Sequence, residues 1–138
     1  MPVHLLKLCV GVDSIDRLAT FQARRLANEG EVYHKTRNAP RRADEVLDGG
    51  SIYWIIKGFV RVRQRIVGIE RQTNEARGAH CHLVLDPELV PTAMQPRRPH
   101  QGWRYLEPAD APADAANGMV EEEPPPEMAE ELRELGLL

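Results

Sequence analysis

The residues best suited to chemistry in this sequence are three arginines in an alternating run. Residues 59–69 read Phe-Val-Arg-Val-Arg-Gln-Arg-Ile-Val-Gly-Ile, with period two. In a β-strand this spacing puts Arg61, Arg63 and Arg65 on one face. The opposite face then holds the apolar residues Val60, Val62 and Ile66. Because burying unpaired guanidinium groups is costly, we expect the arginines to point away from the core, toward solvent, carboxylates or phosphates.

Further basic and aromatic residues fit a phosphate-binding surface. Arg104 lies between Trp103 and Tyr105, where it could stack on an exposed base or sugar. Phosphate contacts need charge and donors rather than a strict spacing, so the signal is a general one. The candidate nucleic-acid-binding residues are Arg41, Arg42, Lys57, Arg61, Arg63, Arg65, Arg97, Arg98, Trp103, Arg104 and Tyr105.

Each of these features also has a structural interpretation, and the sequence leaves both open. The three arginines could form the solvated outer face of an antiparallel sheet, paired with carboxylates on a neighbouring strand. Trp103 and Tyr105 could anchor an extended segment to the core.

Metal and nucleophile motifs are weak. The tripeptide His-Cys-His at 80–82 offers two histidines on one strand face, and two ligands do not make a closed zinc site. The sequence has no Walker loop, no Gly-x-Ser-x-Gly and no dinucleotide-binding fingerprint. We therefore expect no metal and no other cofactor, and no catalytic residue is assigned. One alternative is a small enzyme for a nucleotide-like substrate that uses Lys57, Asp44 and Glu45 as a polar corner.

Charge is distributed unevenly along the 138 residues. Residues 1–105 contain 17 Lys and Arg against 11 Asp and Glu, and residues 106–138 contain one Arg against 10 Asp and Glu. A basic body is thus followed by an acidic tail, which favours a polyanion such as RNA as a partner of the body.

Cysteine usage and the N-terminus indicate a cytoplasmic protein. Cys9 and Cys81 lie in apolar runs, do not make a disulfide framework and are expected to be buried. The apolar run at 3–12 is short and contains Lys7, so it fits neither a signal peptide nor a membrane span. We expect no association with membranes.

Local patterns predict the elements that must position these residues. A helix capped by Asp13 or Ser14 ends at Gly30, and a second, short helix runs from Pro40 to Leu47. Strands are expected at 3–12, 32–34, 51–57, 59–69 and 81–85, with a bend or hairpin at Gly58 and a polar loop at 71–78.

The last 30 residues are expected to be a poorly packed tail. From 109 onward the composition shifts to Ala, Asp, Pro and Glu. Residues 127–138 could form a short amphipathic helix, with Met128, Leu132 and Leu135 on one face. Such a helix could bind a protein partner, so a protein-interaction module is another alternative.

Five stretches resemble a small alphaproteobacterial family known as domain of unknown function 1489. They are HLLKLCVGV at 4–12, RADEVLDGGSIYW at 42–54, VRQRI at 62–66, LDPELV at 85–90 and QGWRYL at 101–106. The resemblance covers about residues 3–112 and implies no activity.

A weaker similarity is to the PUA and ASCH group of small β-barrels, which bind RNA or modified nucleosides. It rests on the short helix ending at Gly49-Gly50, followed by a buried strand and a long curved strand. The Gly-x-Lys-x-x-Glu-x-Arg pattern of ASCH domains is missing, so RNA binding is implied by analogy of fold alone.

These observations predict an α+β protein. Residues 1–108 should form one globular domain, a curved and mostly antiparallel sheet or partly closed small barrel with one main and one short helix. Residues 109–138 should form the acidic tail. The leading functional prediction is a non-catalytic module that binds RNA or another nucleic acid.

Overall fold

The structure is a computed structural model and describes residues 2–74, 78–98 and 100–115. These residues form seven β-strands, two α-helices and one 3-10 turn. In chain order the elements are β1 (His4–Leu8), α1 (Ile15–Glu29), β2 (Val32–Thr36), α2 (Ala43–Leu47), β3 (Ser51–Ile56), β4 (Phe59–Asn74), β5 (Gly78–Leu85), β6 (Val90–Pro96), β7 (Trp103–Leu106) and a 3-10 turn (Pro108–Asp110).

The strands build one open, curled sheet in the order β2-β5-β4-β3-β1-β7, with β6 also paired to β4. Strands β1 and β3 pair in parallel, and α1, β2 and α2 form the connection between them. The other strand pairs are antiparallel. The predicted α+β class, with a mostly antiparallel curved sheet, one main helix and one short helix, is confirmed.

Strand β4 is the longest described strand, and it pairs with β3, β5 and β6. A two-residue turn at Lys57 and Gly58, with φ of 52° and 81°, joins it to β3. Two positive φ values are typical of the hairpin turn that matches strand twist. The first half of β4 pairs with β3 and β6, and the second half pairs with β5.

A β-bulge interrupts the alternation of β4. Val60 lies opposite Ile55 and Val62 lies opposite Trp54, so Arg61 is an extra residue on this strand. Val62 and Ile66 therefore pack in the larger core cluster with Trp54, whereas Val60 packs in a smaller cluster on the other face.

The expectation of a common outward arginine face is wrong. Arg61 is only 8% exposed, and its Nε donates to the Ile56 carbonyl oxygen at 2.8 Å. Arg63 is half-buried against Asp114, and Arg65 is exposed. The bulge separates Arg61 from the other two, and residues 110–115 cover Arg63.

The core lies on both faces of the sheet. The larger cluster packs β1, β3, β4 and β5 against Leu18 of α1 and Val46 of α2. The smaller cluster contains Leu6, Tyr53, Ile55, Val60 and Leu106. Strand β3 contributes to both clusters and is buried along its whole length.

Helix α1 is well capped but shallowly packed. The Ser14 hydroxyl accepts from the Arg17 amide at 3.1 Å, and Gly30 ends the helix with φ of 78°. Leu18 is buried, but Phe21 is 43% exposed. Neither helix in the described ranges is long and apolar enough to span a membrane.

Residues 108–115 pack on the sheet. After the 3-10 turn, the Ala93 amide donates to the Ala113 carbonyl at 2.8 Å, and the Ala115 amide donates to the Pro91 carbonyl at 2.9 Å. Poor packing from 109 onward is thus wrong for residues 109–115. The helix predicted at 127–138 lies outside the described residues.

Candidate nucleic-acid interface

One cleft brings together basic and aromatic side chains from four parts of the chain. It has a volume of about 820 Å³, and we call it the aromatic–arginine cleft. Its described lining comprises Arg37, Asn38, Ala39, Arg41, Arg71, Gln72, Ala79, His80, Trp103 and Tyr105. These residues come from the link after β2, the far half of β4, the start of β5, and β7.

The two aromatic residues of β7 organise this cleft. Trp103 and Tyr105 are two residues apart and so share one face of the strand. The Trp103 Nε1 donates to the Asn38 carbonyl at 2.9 Å, and the Tyr105 hydroxyl accepts from the Arg42 amide at 3.1 Å. The anchoring role that the sequence left open is therefore present. Both residues also line the cleft and are only partly buried.

Positive charge in the cleft is not balanced by its described lining. Arg37, Arg41 and Arg71 are exposed, and no carboxylate is among the described residues that line the cleft. None of the three forms a salt bridge within the described ranges. Guanidinium groups in such a setting suit phosphate or carboxylate groups, to which they can donate two bonds at once.

Arg42, by contrast, is committed to contacts inside the protein. Its Nε lies 2.6 Å from Glu45 Oε2, and its NH1 lies 2.8 Å from Glu107 Oε1. Its guanidinium carbon is 5.3 Å from the centre of the Tyr105 ring. Hydrogen bonds with Glu45 and Glu107 raise the pKa of Arg42, and the bond from Arg42 lowers the pKa of Glu45. Arg42 links α2 to β7 rather than offering its charge to a ligand.

Arg104 does not stack between the two aromatic rings. Alternation along β7 puts it on the other face from Trp103 and Tyr105, where it lines a second cavity of about 510 Å³. Arg97 and Arg98 line the same cavity. Glu107 and Asp110 also line it, so its positive charge is partly balanced.

The other predicted residues lie apart from both cavities. Lys57 sits in the β3–β4 turn, and Arg65 is exposed on β4. Strand β3 runs from Ser51, next to α2, to Ile56, next to Lys57. Six residues of strand span about 20 Å, so Lys57 does not form a polar corner with the carboxylates of α2.

Arg37, Arg71 and His80 are lining residues that the sequence analysis does not assign to the site. Arg71 lies in the stretch predicted to be a polar loop, although continuing the alternation two residues past Ile69 places it on the strand. Arg37 follows β2 without any distinguishing pattern. In the sequence, His80 stands out only as part of the His-Cys-His tripeptide at 80–82. No group of three or more His, Cys, Asp or Glu side chains suited to a metal occurs in the part of the chain described.

Comparison with known proteins places the chain in a family. No curated protein and no solved structure matches it, so the similarity to PUA and ASCH barrels stays a prediction. One family model matches residues 5–138, which extends beyond residue 112, where the resemblance read from the sequence ended. That model covers almost the whole chain, and the protein belongs to the family described as "Protein of unknown function (DUF1489)".

Proposed function

We propose that this protein is a non-catalytic RNA-binding module whose aromatic–arginine cleft holds a single-stranded segment. The observation that carries the proposal is the convergence of Arg37, Arg41 and Arg71 on a cleft walled by Trp103 and Tyr105, without a carboxylate among its described lining. Charge and stacking surface are the two requirements for binding single-stranded nucleic acid.

The geometry favours a single strand over a duplex. Unpaired bases can leave the backbone and stack on aromatic rings or guanidinium planes, while bases in a duplex stay in their own stack. If the sugar–phosphate backbone of an RNA strand crossed the cleft, its phosphates would lie near the arginines and one base would lie near Trp103. The partly buried ring of Trp103 is already fixed by its bond to Asn38, so little side-chain entropy is lost on binding.

A mononucleotide is the second candidate ligand, and it would suit a small enzyme. The cleft volume of about 820 Å³ lies within the range of small-molecule sites. A nucleoside monophosphate has the same phosphate and base chemistry as one unit of RNA. The length of the ligand required for tight binding therefore separates the two candidates.

The test is a titration of the full chain into a labelled single-stranded RNA of about 12 nucleotides, followed by fluorescence anisotropy. Three neutralised phosphates give a salt slope of about −2. We therefore expect the affinity to fall about 20-fold when salt rises from about 50 mM to about 200 mM. Absence of binding at the lower salt would exclude the proposal, and equal affinity for uridine monophosphate would favour the second candidate.

Substitutions locate the binding surface. Trp103→Leu should weaken binding by about 5-fold to 100-fold because it removes a stacking platform, and Trp103→Phe should keep most of the affinity. Arg71→Met should reduce the salt slope by about 0.7 because one phosphate contact is lost. Arg65→Met is the matched control, since Arg65 is also exposed on β4 and does not line the cleft. Equal losses for Arg65→Met and Arg71→Met would show that the cleft is not the interface.

A further inference from the structure

A third and smaller cavity lies between α1 and the sheet. It has a volume of about 290 Å³, and we call it the helix–sheet cavity. Its apolar walls include Leu18, Trp54 and Leu85. At its rim, Val10 is 76% exposed and Phe21 is 43% exposed. None of its described lining residues also lines the aromatic–arginine cleft. The shallow packing of α1 thus leaves an apolar space open to solvent.

Lys7 brings an unbalanced positive charge into this cavity. The residue is half-buried, and alternation along β1 puts its side chain on the face of Leu5 and Cys9. Its Nζ makes one hydrogen bond, to the Leu8 carbonyl at 3.4 Å, and no salt bridge within the described ranges. An ammonium group among apolar side chains is poorly solvated, which favours an anion beside it.

His34 supplies a neutral donor in the same cavity. Its Nε2 is buried and has no hydrogen-bond partner among the described residues. The ring stands edge-on to Trp54, with centroids 5.1 Å apart and an angle of 90° between planes. Burial, together with the nearby charges of Lys7 and Arg25, lowers the pKa of His34 to about 4. The ring is therefore neutral at pH 7, and its Nε2 can carry a proton to donate.

Other polar groups at this cavity already have partners. Gln22 exchanges two hydrogen bonds with Gln64, at 2.7 and 2.6 Å, and the Trp54 Nε1 donates to Gln64 at 2.8 Å. Arg25 donates to the Tyr33 carbonyl and lies 3.4 Å from Glu29. This leaves Lys7 Nζ and His34 Nε2 to donate hydrogen bonds to a ligand. A carboxylate can accept both.

We propose that the helix–sheet cavity binds a small monocarboxylic acid with an apolar chain. The carboxylate accepts hydrogen bonds from Lys7 Nζ and His34 Nε2, and the chain lies against Leu18 and Phe21. At about 30 Å³ for each water-sized group, the volume of about 290 Å³ has room for an acid of about ten non-hydrogen atoms. This site is independent of the RNA-binding proposal.

The test is calorimetric titration of the full chain with octanoate at about pH 7, a pH at which His34 is neutral. We expect saturable binding of one octanoate, with the negative heat-capacity change that burial of apolar surface produces. Octan-1-ol, which has the same chain and no charge, should bind at least about tenfold more weakly, because hydrogen bonds to charged groups are stronger. No saturable binding of octanoate, or equal binding of octan-1-ol, overturns the proposal.

Variants identify the carboxylate position. Lys7→Met keeps the aliphatic stem and should weaken octanoate binding by about tenfold or more while leaving binding of octan-1-ol nearly unchanged. Lys35→Met is the matched control, since Lys35 is exposed on β2 and does not line the cavity. Unchanged octanoate affinity in a folded Lys7→Met variant contradicts the proposal.

A second measurement covers the case in which Lys7→Met does not fold. The chain has two tryptophans, so Trp103→Phe leaves Trp54 as the sole indole, at the wall of the cavity. Octanoate should then shift or quench the fluorescence of Trp54 in a saturable way. The absence of any such change also overturns the proposal.

Discussion

The roles of the arginines are decided by their partners rather than by their spacing. Arg63 shows this most clearly, because its Nε and NH2 contact both carboxylate oxygens of Asp114, at 2.7 and 2.8 Å. Such a two-point pair fixes geometry as well as charge. The side chains remain 25% and 51% exposed, so solvent screening keeps the energy of the pair small. Asp114 thus holds the 110–115 segment against β4 and β6.

Asp114→Asn should destabilise the fold by about 0.5 to 1 kcal/mol at pH 7. The Arg63 guanidinium holds the pKa of Asp114 below its usual value, so the carboxylate stabilises the folded state above the unfolded pKa. This contribution disappears as the pH falls below about 4, through the lowered folded pKa. Urea unfolding of both proteins at several pH values measures the difference.

The control for this experiment is Asp13→Asn, which removes an exposed carboxylate that forms no salt bridge in the described ranges. Its unfolding free energy at pH 7 should stay within about 0.5 kcal/mol of that of the unaltered protein, because no ion pair is lost. An Asp114→Asn difference that persists unchanged at about pH 2 would show that the ion pair is not its cause.

At the scale of elements, Gly50 joins α2 to β3 without room for a side chain. A Cβ atom there would lie 2.3 Å from the Val3 carbonyl oxygen and 2.4 Å from the Val46 carbonyl oxygen. Both neighbours are backbone atoms, and Val46 belongs to α2. The Gly50 amide also donates to the Val46 carbonyl at 2.9 Å, and its carbonyl accepts from the Ile66 amide at 3.0 Å. The junction of α2, β3 and β4 depends on this close approach.

Gly50→Ala should therefore lower the unfolding free energy by about 2 to 3 kcal/mol, since backbone must move to accept the methyl group. Gly49→Ala is the matched control, because that position has a φ of 93° but nothing within 4 Å of an added Cβ. It should cost about 1 to 2 kcal/mol from the left-handed backbone alone. Chemical denaturation of both variants measures the two costs. A Gly50→Ala cost below that of Gly49→Ala contradicts the close-packing argument.

Short-range sequence patterns predicted most helices and strands, but they predicted less well which side chains of a strand are buried. The cap at Ser14 and the stop at Gly30 are short-range features, and both occur as predicted. The bulge at Arg61 arises from pairing with β3 and β6, which alternation within one strand does not encode. Gln64 is fully buried because Trp54, Gln22 and Asp86 bind it across the fold. Such long-range partners are invisible in a residue pattern.

The sequence predicted only part of the candidate site, because the other lining residues are placed there by long-range strand pairing. Trp103, Tyr105 and Arg41 were predicted and do line one cleft. Arg37 and Arg71 join them because β2 and the far half of β4 both pair with β5. That shared pairing is a property of topology, and the sequence gives no direct sign of it.

At the scale of the whole molecule, the charge asymmetry along the chain remains the broadest feature. The described cleft is basic, while residues 116–138 contain the glutamates 121, 122, 123, 127, 130, 131 and 134 against one arginine. The Ala115 amide, bonded to the Pro91 carbonyl at 2.9 Å, fixes the point from which these residues begin. A tethered acidic segment has a high effective concentration near the body, so it can compete with the phosphates of the RNA that we propose as the ligand.

Replacing those seven glutamates by glutamine in the full chain should tighten RNA binding several-fold at about 50 mM salt, because the intramolecular competitor loses its charge. The gain should shrink as salt rises, since the Debye length falls to about 8 Å at physiological ionic strength.

A variant with the same seven positions changed to aspartate keeps the charge and should bind RNA as the unaltered protein does. Anisotropy titrations of the three proteins over a range of salt make the comparison. Equal affinity of the glutamine variant and the unaltered protein at low salt would show that these acids do not shield the body. Substitution is preferable to truncation at 109, because truncation there also removes Asp114 and exposes the face of β4 that Arg63 helps to close.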